Sequence, residues 1–139
     1  LSREHHQGLL LSWKIRTGLS KGVSTDRIKT YADWFYKTYL TPHFEEEEKH
    51  LFPILGNDHI LVKKAIAQHR RLDRLFKSTS ELKKSLNHIE EELEQHIRFE
   101  ERVLFNEIQK VGTEQQLQFI LEHHNQTKFL ENTTDRFWE

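Results

Sequence analysis

Two prolines and five glycines in 139 residues leave this chain few places to break. The interruptions fall at Lys21-Gly22-Val23-Ser24, at Pro53 with Gly56-Asn57-Asp58, at Ser78-Thr79-Ser80-Glu81, and at Gly112. Between them apolar residues recur with the helical period, and strand-like alternation does not persist. Helices are therefore expected over residues 2–20, 25–52, 58–77, 80–110 and 113–131. Ser24 and Asp58 are placed to cap the second and third. Capping boxes are expected at Ser78–Glu81 and Thr113–Gln116. Four long helices with short connections imply an all-α, antiparallel up-down-up-down four-helix bundle with an additional C-terminal helix. Pro42, inside the second helix, is expected to kink or bulge it. The length suits one domain over 1–139, with the bundle in about 1–110 and the last helix at about 113–131.

Composition removes several classes of function. Lys and Arg number 21 against 22 Asp and Glu, with no basic block, so nucleic acid has no electrostatic footprint to bind. No apolar run is long enough for a membrane span, and no secretory signal is legible, so a cytoplasmic protein is expected. The absence of methionine suggests that the sequence begins inside a longer gene product. Without cysteine there is no disulfide framework, thiolate nucleophile or sulfur ligand, and any metal must be held by nitrogen and oxygen. Hydrophobic residues make up 35% of the chain; even with glycine added, the apolar share is below the ~45–50% usual for globular domains. Part of the polar excess, which includes ten histidines, is expected to lie inside.

Helical phase shows where. On the fourth helix Leu82, Leu86, Ile89, Leu93, Val103 and Leu104 share a sector centred on His96 and Glu100, while Glu90 lies elsewhere and Glu101 falls at the rim. On the third, Val62, Ala65, Ile66, Leu72 and Phe76 surround His69, with Asp73 beside it. On the second, His43 and Glu47 follow Ile28, Ala32, Phe35 and Tyr39 along one face. On the first, Arg3, Gln7 and Lys14 mark an outer side; His5 fits the inner face better than His6, which shares a sector with Leu10 and Trp13. His43 and His69 stand equally far in sequence from Gly56, so a hairpin brings them level; the third connection fits less well unless its centre lies near residue 82. An i, i+4 pair stands about 6 Å apart on one face, so His43/Glu47 and His96/Glu100 can each bind a metal together. Of the other histidines, His50 borders this site, His59 and His88 are expected at the surface, and His123-His124 fall outside it. Glu45 and Glu48 read as a solvated face, and Tyr36 and Tyr39 as core residues near enough to bond a bound oxygen species.

Leu1-Ser2-Arg3-Glu4-His5, His43-Phe44-Glu45-Glu46-Glu47-Glu48 running into Leu51-Phe52-Pro53, Gln68-His69, and His96-Ile97-Arg98-Phe99-Glu100-Glu101 running into Leu104-Phe105 together resemble a hemerythrin-like (HHE cation-binding) domain over about 1–110. The resemblance implies a four-helix bundle with two iron ions bridged by two carboxylates and an oxo or hydroxo group. It implies His5, His43, His69 and His96 as terminal ligands, with Glu47 and Glu100 as bridges; zinc or manganese are alternative metals. Oxygen-carrying members place two histidines one turn apart on the third helix, whereas here Ala65 precedes His69 and Asp73 follows it. Asp73, Glu48 or water is left to complete that sphere, and dedicated oxygen transport becomes the weaker reading. Interaction with O2, NO or peroxide for sensing, iron handling or redox protection is expected instead. The alternatives are a di-iron enzyme or repair protein, and a bundle holding a single zinc or other ion. A homodimer or another protein are the partners left open. A ferritin-like carboxylate site needs Glu-x-x-His on two helices and Glu on the other two, and the third helix contains no glutamate.

Overall fold

The protein, seen as a computed structural model, is described over residues 3–124 and 128–139, and among these every regular element is helical. Helix α1 spans Arg3–Ser20. Helix α2 runs without a break over 25–54, and α3 spans Ile60–Lys77. Helix α4 covers 82–111 and α5 Glu114–His124. No helix of the described residues is long and apolar enough to cross a membrane.

The ends obey local chemistry, not always as the sequence suggests. After α1, Gly22 takes the left-handed conformation (φ 73°), with Val23 N–H donating to the Gly18 carbonyl at 2.9 Å and Gly22 N–H to Leu19 at 3.2 Å. That double bond pattern is a Schellman stop. Thr113 and Gln116 form the expected reciprocal box, at 2.9 and 3.1 Å. The box at Ser78–Glu81 does not form: Glu81 is left-handed (φ 49°), Ser78 Oγ donates to the Ser80 carbonyl, and α4 starts at Leu82. Helix α3 is capped by His59, whose Nδ1 accepts from Leu61 N–H at 3.1 Å, and not by Asp58. Ser24 offers no side-chain cap; its carbonyl accepts from Arg27 and Ile28.

Three turns are wound π-helically, and their places matter. One, Tyr36–Leu40, lies just before Pro42, where the missing N–H and the ring displace the ladder as expected. The others, Glu47–Leu51 and Glu100–Leu104, each begin on a glutamate. A π-turn adds a residue and rotates everything downstream. Hence Val103, expected in the apolar sector, is exposed, while Leu104 is buried.

Helix α4 packs against α1, α2 and α3, and α1 against α2; α2 meets α3 where Tyr36 stacks on Phe76, ring centroids 4.3 Å apart. The core has two apolar clusters, one around Leu11, Ile15, Phe35, Leu72, Leu86 and Leu93, the other around Leu51, Phe52, Val62, Ala65, Leu104 and Ile108. Each large side chain so buried contributes roughly 1.5–3 kcal/mol. Along α2, α3 and α4 the clusters are separated by a layer holding His43, Glu47, His69, His96 and Glu100.

The C-terminal helix stops short of the expected 131: residues 128–139 carry no helix, and 125–127 lie outside the described residues. Residues 128–139 instead strap back over α1 and α2. Phe137 is fully buried against Gly18 and Ile28, and Arg27 grips Asp135 through two hydrogen bonds of 2.8 and 2.7 Å. This strap buries Lys14, which phase alone puts on the outer side. Lys14 Nζ donates to Tyr31 Oη at 2.9 Å, pairs with Glu131 at 2.6 Å, and lies 4.2 Å from the Trp138 ring centroid. Glu90 departs from its expected place too, buried at the α1–α4 seam where Arg16 bonds it at 3.1 Å.

Candidate metal centre

Six buried side chains from four helices converge in the polar layer. The donor atoms of Glu47, His69, His96 and Glu100 lie within 4.8 Å of one another, and so do those of His5, His43 and Glu47. Glu47 belongs to both groups. Its Oε2 is 3.4 Å from His43 Nε2 and 3.7 Å from His5 Nε2, while its Oε1 is 3.2 Å from His69 Nε2. The Nε2 atoms of His69 and His96 stand 3.1 Å apart, so the mismatch expected across the third connection is absorbed. Glu100 Oε1 touches His96 Nε2. All six residues singled out by helical phase are thus together. His6 is exposed, which leaves the inner face of α1 to His5.

Three of the imidazoles are also hydrogen-bonded from behind, and a carboxylate approaches the fourth. His69 Nδ1 meets Glu48 Oε2 at 2.8 Å, His96 Nδ1 meets Gln68 Oε1, and His43 Nδ1 meets Glu4 Oε2. His5 Nδ1 lies 3.4 Å from Glu101 Oε1. Anchoring Nδ1 fixes the ring and turns Nε2 to the centre. Aromatic rings fill the flanks: Phe44 stacks on His69 with centroids 3.9 Å apart, and Phe105 on His5 at 5.3 Å.

Glu48 therefore sits behind His69, pinned also by Arg70, and is only partly solvated. Asp73 is engaged by Tyr36 Oη and Lys77, away from both donor groups. His50 packs beside Phe119 of α5. His88, expected at the surface, keeps 40% of its side chain exposed and lies 3.3 Å from Glu92. The side chains of His123 and His124 lie outside the described residues. Phase arguments missed Glu4, Gln68 and Glu101 as anchors. The available signal was that each is the immediate neighbour of an inward residue.

The electrostatics are those of crowded donors. Burial raises the Glu100 carboxyl well above its ordinary range, and the Glu47 charge adds to this. Burial also opposes ionisation of Glu47, but the positive charge of His43 and neighbouring contacts hold it well below that range. For His69, burial is outweighed by Glu47 and Glu48, and the ring rises to about 9. Burial and the charge of His69 push His96 down to about 3. Both oxygens of Glu47 and Oε1 of Glu100 lie against imidazole nitrogens, yet none of the carboxylate oxygens of the two residues receives a hydrogen bond of acceptable geometry. Leaving buried acceptors unmet costs roughly 1–3 kcal/mol each. A divalent cation meets that need, and imidazole with carboxylate fits iron, manganese or zinc.

The hemerythrin HHE cation-binding domain model matches residues 1–79, over half of the chain, and the protein belongs to that family. Membership implies cation binding. The matched span is shorter than the 1–110 read from motifs; it includes His5, His43, Glu47 and His69, whereas His96 and Glu100 join the centre through geometry. Comparison with curated proteins gave no match, and neither did comparison with solved structures.

Proposed function

We propose that this chain is a two-metal protein of hemerythrin type. It holds two iron ions through His5, His43, Glu47, His69, His96 and Glu100, on an up-down-up-down four-helix frame that forms one domain over 1–139. One observation carries the reading: Glu47 directs one oxygen to His5 and His43 and the other to His69. A carboxylate so placed can serve two ions at once. Glu100, equally buried and opening the matching π-turn of α4, is the second bridge in this reading.

Iron, when bound, supplies redox change and an electrophilic position for O2, NO or peroxide. The His5/His43/Glu47 group is the one a small ligand would reach from the cavity side. Beside it is a cavity of about 20 Å³, lined by Glu4, Tyr39, Leu40, His43 and Phe129 among others. That is room for about one water-sized molecule. Phe44, Phe52 and Phe105 surround the donors with apolar surface and limit access by bulk water. Sensing, iron handling or redox protection in the cytoplasm are the roles such a centre suits.

A single zinc is the second reading, favoured by the closed four-donor set of Glu47, His69, His96 and Glu100. Metal analysis of anaerobically purified protein, with optical spectra before and after air, decides between them. About two irons per chain and a new near-ultraviolet charge-transfer band on exposure to air are expected. Stoichiometric zinc with no iron and no spectral change would refute the redox reading.

A further inference from the structure

The anchors behind the four histidines follow a cyclic order. Glu4 of α1 meets His43 of α2, and Glu48 of α2 meets His69 of α3. Gln68 of α3 meets His96 of α4, and Glu101 of α4 lies against His5 of α1. The first three contacts are hydrogen bonds, and the fourth, a charge contact at 3.4 Å, brings the circuit of helices back to its start. Each anchor also adjoins an inward residue on its own helix, as Glu4-His5, Glu47-Glu48, Gln68-His69 and Glu100-Glu101. A step of about 100° between neighbours points the second side chain at the next helix when the first points inward. Three anchors are carboxylates; Gln68 is a neutral carboxamide.

We propose that Glu4, Glu48, Gln68 and Glu101 form a positioning ring around the donor set, and that Gln68 makes His96 a weaker nitrogen donor than His69. A hydrogen bond to an ionised acceptor is roughly twice as strong as one to a neutral acceptor. A carboxylate behind an imidazole also raises the basicity of its far nitrogen. Glu48 therefore strengthens His69 more than Gln68 strengthens His96. The ring makes the two positions unequal, and Gln68 sets how tightly the His69/His96 position holds its ion. This inference rests on the reading that the inner donors bind metal.

The test uses cobalt(II) as probe, with affinities from chelator competition and geometry from the visible spectrum. It compares the full chain with Gln68→Leu, Gln68→Glu and Glu48→Gln. Losing an anchor behind a ligating histidine weakens metal binding by about tenfold or more. Gln68→Leu and Glu48→Gln should each weaken one of two cobalt ions by about that factor, whereas Gln68→Glu should tighten the same ion. Opposite signs at one position separate positioning from packing, since a packing defect weakens binding in both Gln68 variants. Unchanged affinity and spectrum in all three variants would overturn the ring, as would equal weakening by Gln68→Leu and Gln68→Glu. Failure of the unaltered chain to bind cobalt overturns the metal reading, and the ring with it.

Discussion

Glu100 and Glu101 are adjacent, yet the structure gives them different tasks. Glu100 is fully buried with Oε1 against His96 Nε2, whereas Glu101 lies behind His5. Glu100→Ala should therefore lose metal and metal-dependent thermal stability together. Glu101→Ala should keep full occupancy at saturating metal but bind about tenfold more weakly. Elemental analysis and thermal unfolding check both; retention of metal by Glu100→Ala with its loss from Glu101→Ala would reverse the assignment. The six inner residues were legible because phase sorts side chains by face, and a carboxylate on a leucine stripe stands out. The anchors were not, because a residue about 100° off that face reads as rim until the neighbouring helix is in place.

At the scale of elements, the C-terminal strap joins a bundle whose helices it does not continue. Its anchor is Phe137, and a Cβ at Gly18 would come within 2.7 Å of that ring. Alanine favours a helix over glycine by roughly 0.5–1 kcal/mol, while overpacking costs roughly 1–3 kcal/mol. Gly18→Ala should therefore lower stability by about 1 kcal/mol in urea unfolding, and a more stable variant would show that the strap yields freely. The strap's carboxylate gives a pH signature as well. Burial opposes ionisation of Glu131, but Lys14 and Tyr31 outweigh it and lower its titration below the ordinary 4.5. A group lowered on folding contributes stability above its unfolded value and loses that contribution as pH falls through the folded one. The stability difference between the metal-free protein and its Glu131→Gln variant should thus be largest near neutrality and shrink below about pH 4.5; a difference that grows on acidification would contradict the pairing. The strap escaped sequence reading because the run from Gly112 to Glu131 continues a helical pattern, and burial of Lys14 depends on partners more than a hundred residues away. The wide turns at Glu47 and Glu100 escaped as well, since a fixed helical period cannot register an inserted residue.

For the whole molecule, the polar layer interrupts what would otherwise be one apolar core. Buried donors of alternating raised and lowered basicity are costly alone, and a ligand that binds only the folded chain repays this by mass action. Metal at about a thousand times its dissociation constant adds about 4 kcal/mol. Chelation should therefore lower the melting temperature, and zinc or iron should restore it; a chelator-insensitive melting point would mean the layer stands unaided. The bundle, its breaks and its family were readable from the chain because they depend on periodicity and spacing. The sharing of Glu47 between two donor groups was legible only as something the family resemblance implies, since its geometry depends on where three other helices lie. Anaerobic titration of the metal-free chain with iron(II), beside its Glu47→Ala variant, tests that sharing most directly. Two ions per chain for the unaltered protein, and a loss of affinity at both positions in the variant, are expected. One ion per chain, or a variant that still binds two with unchanged affinity, would contradict a centre built on Glu47.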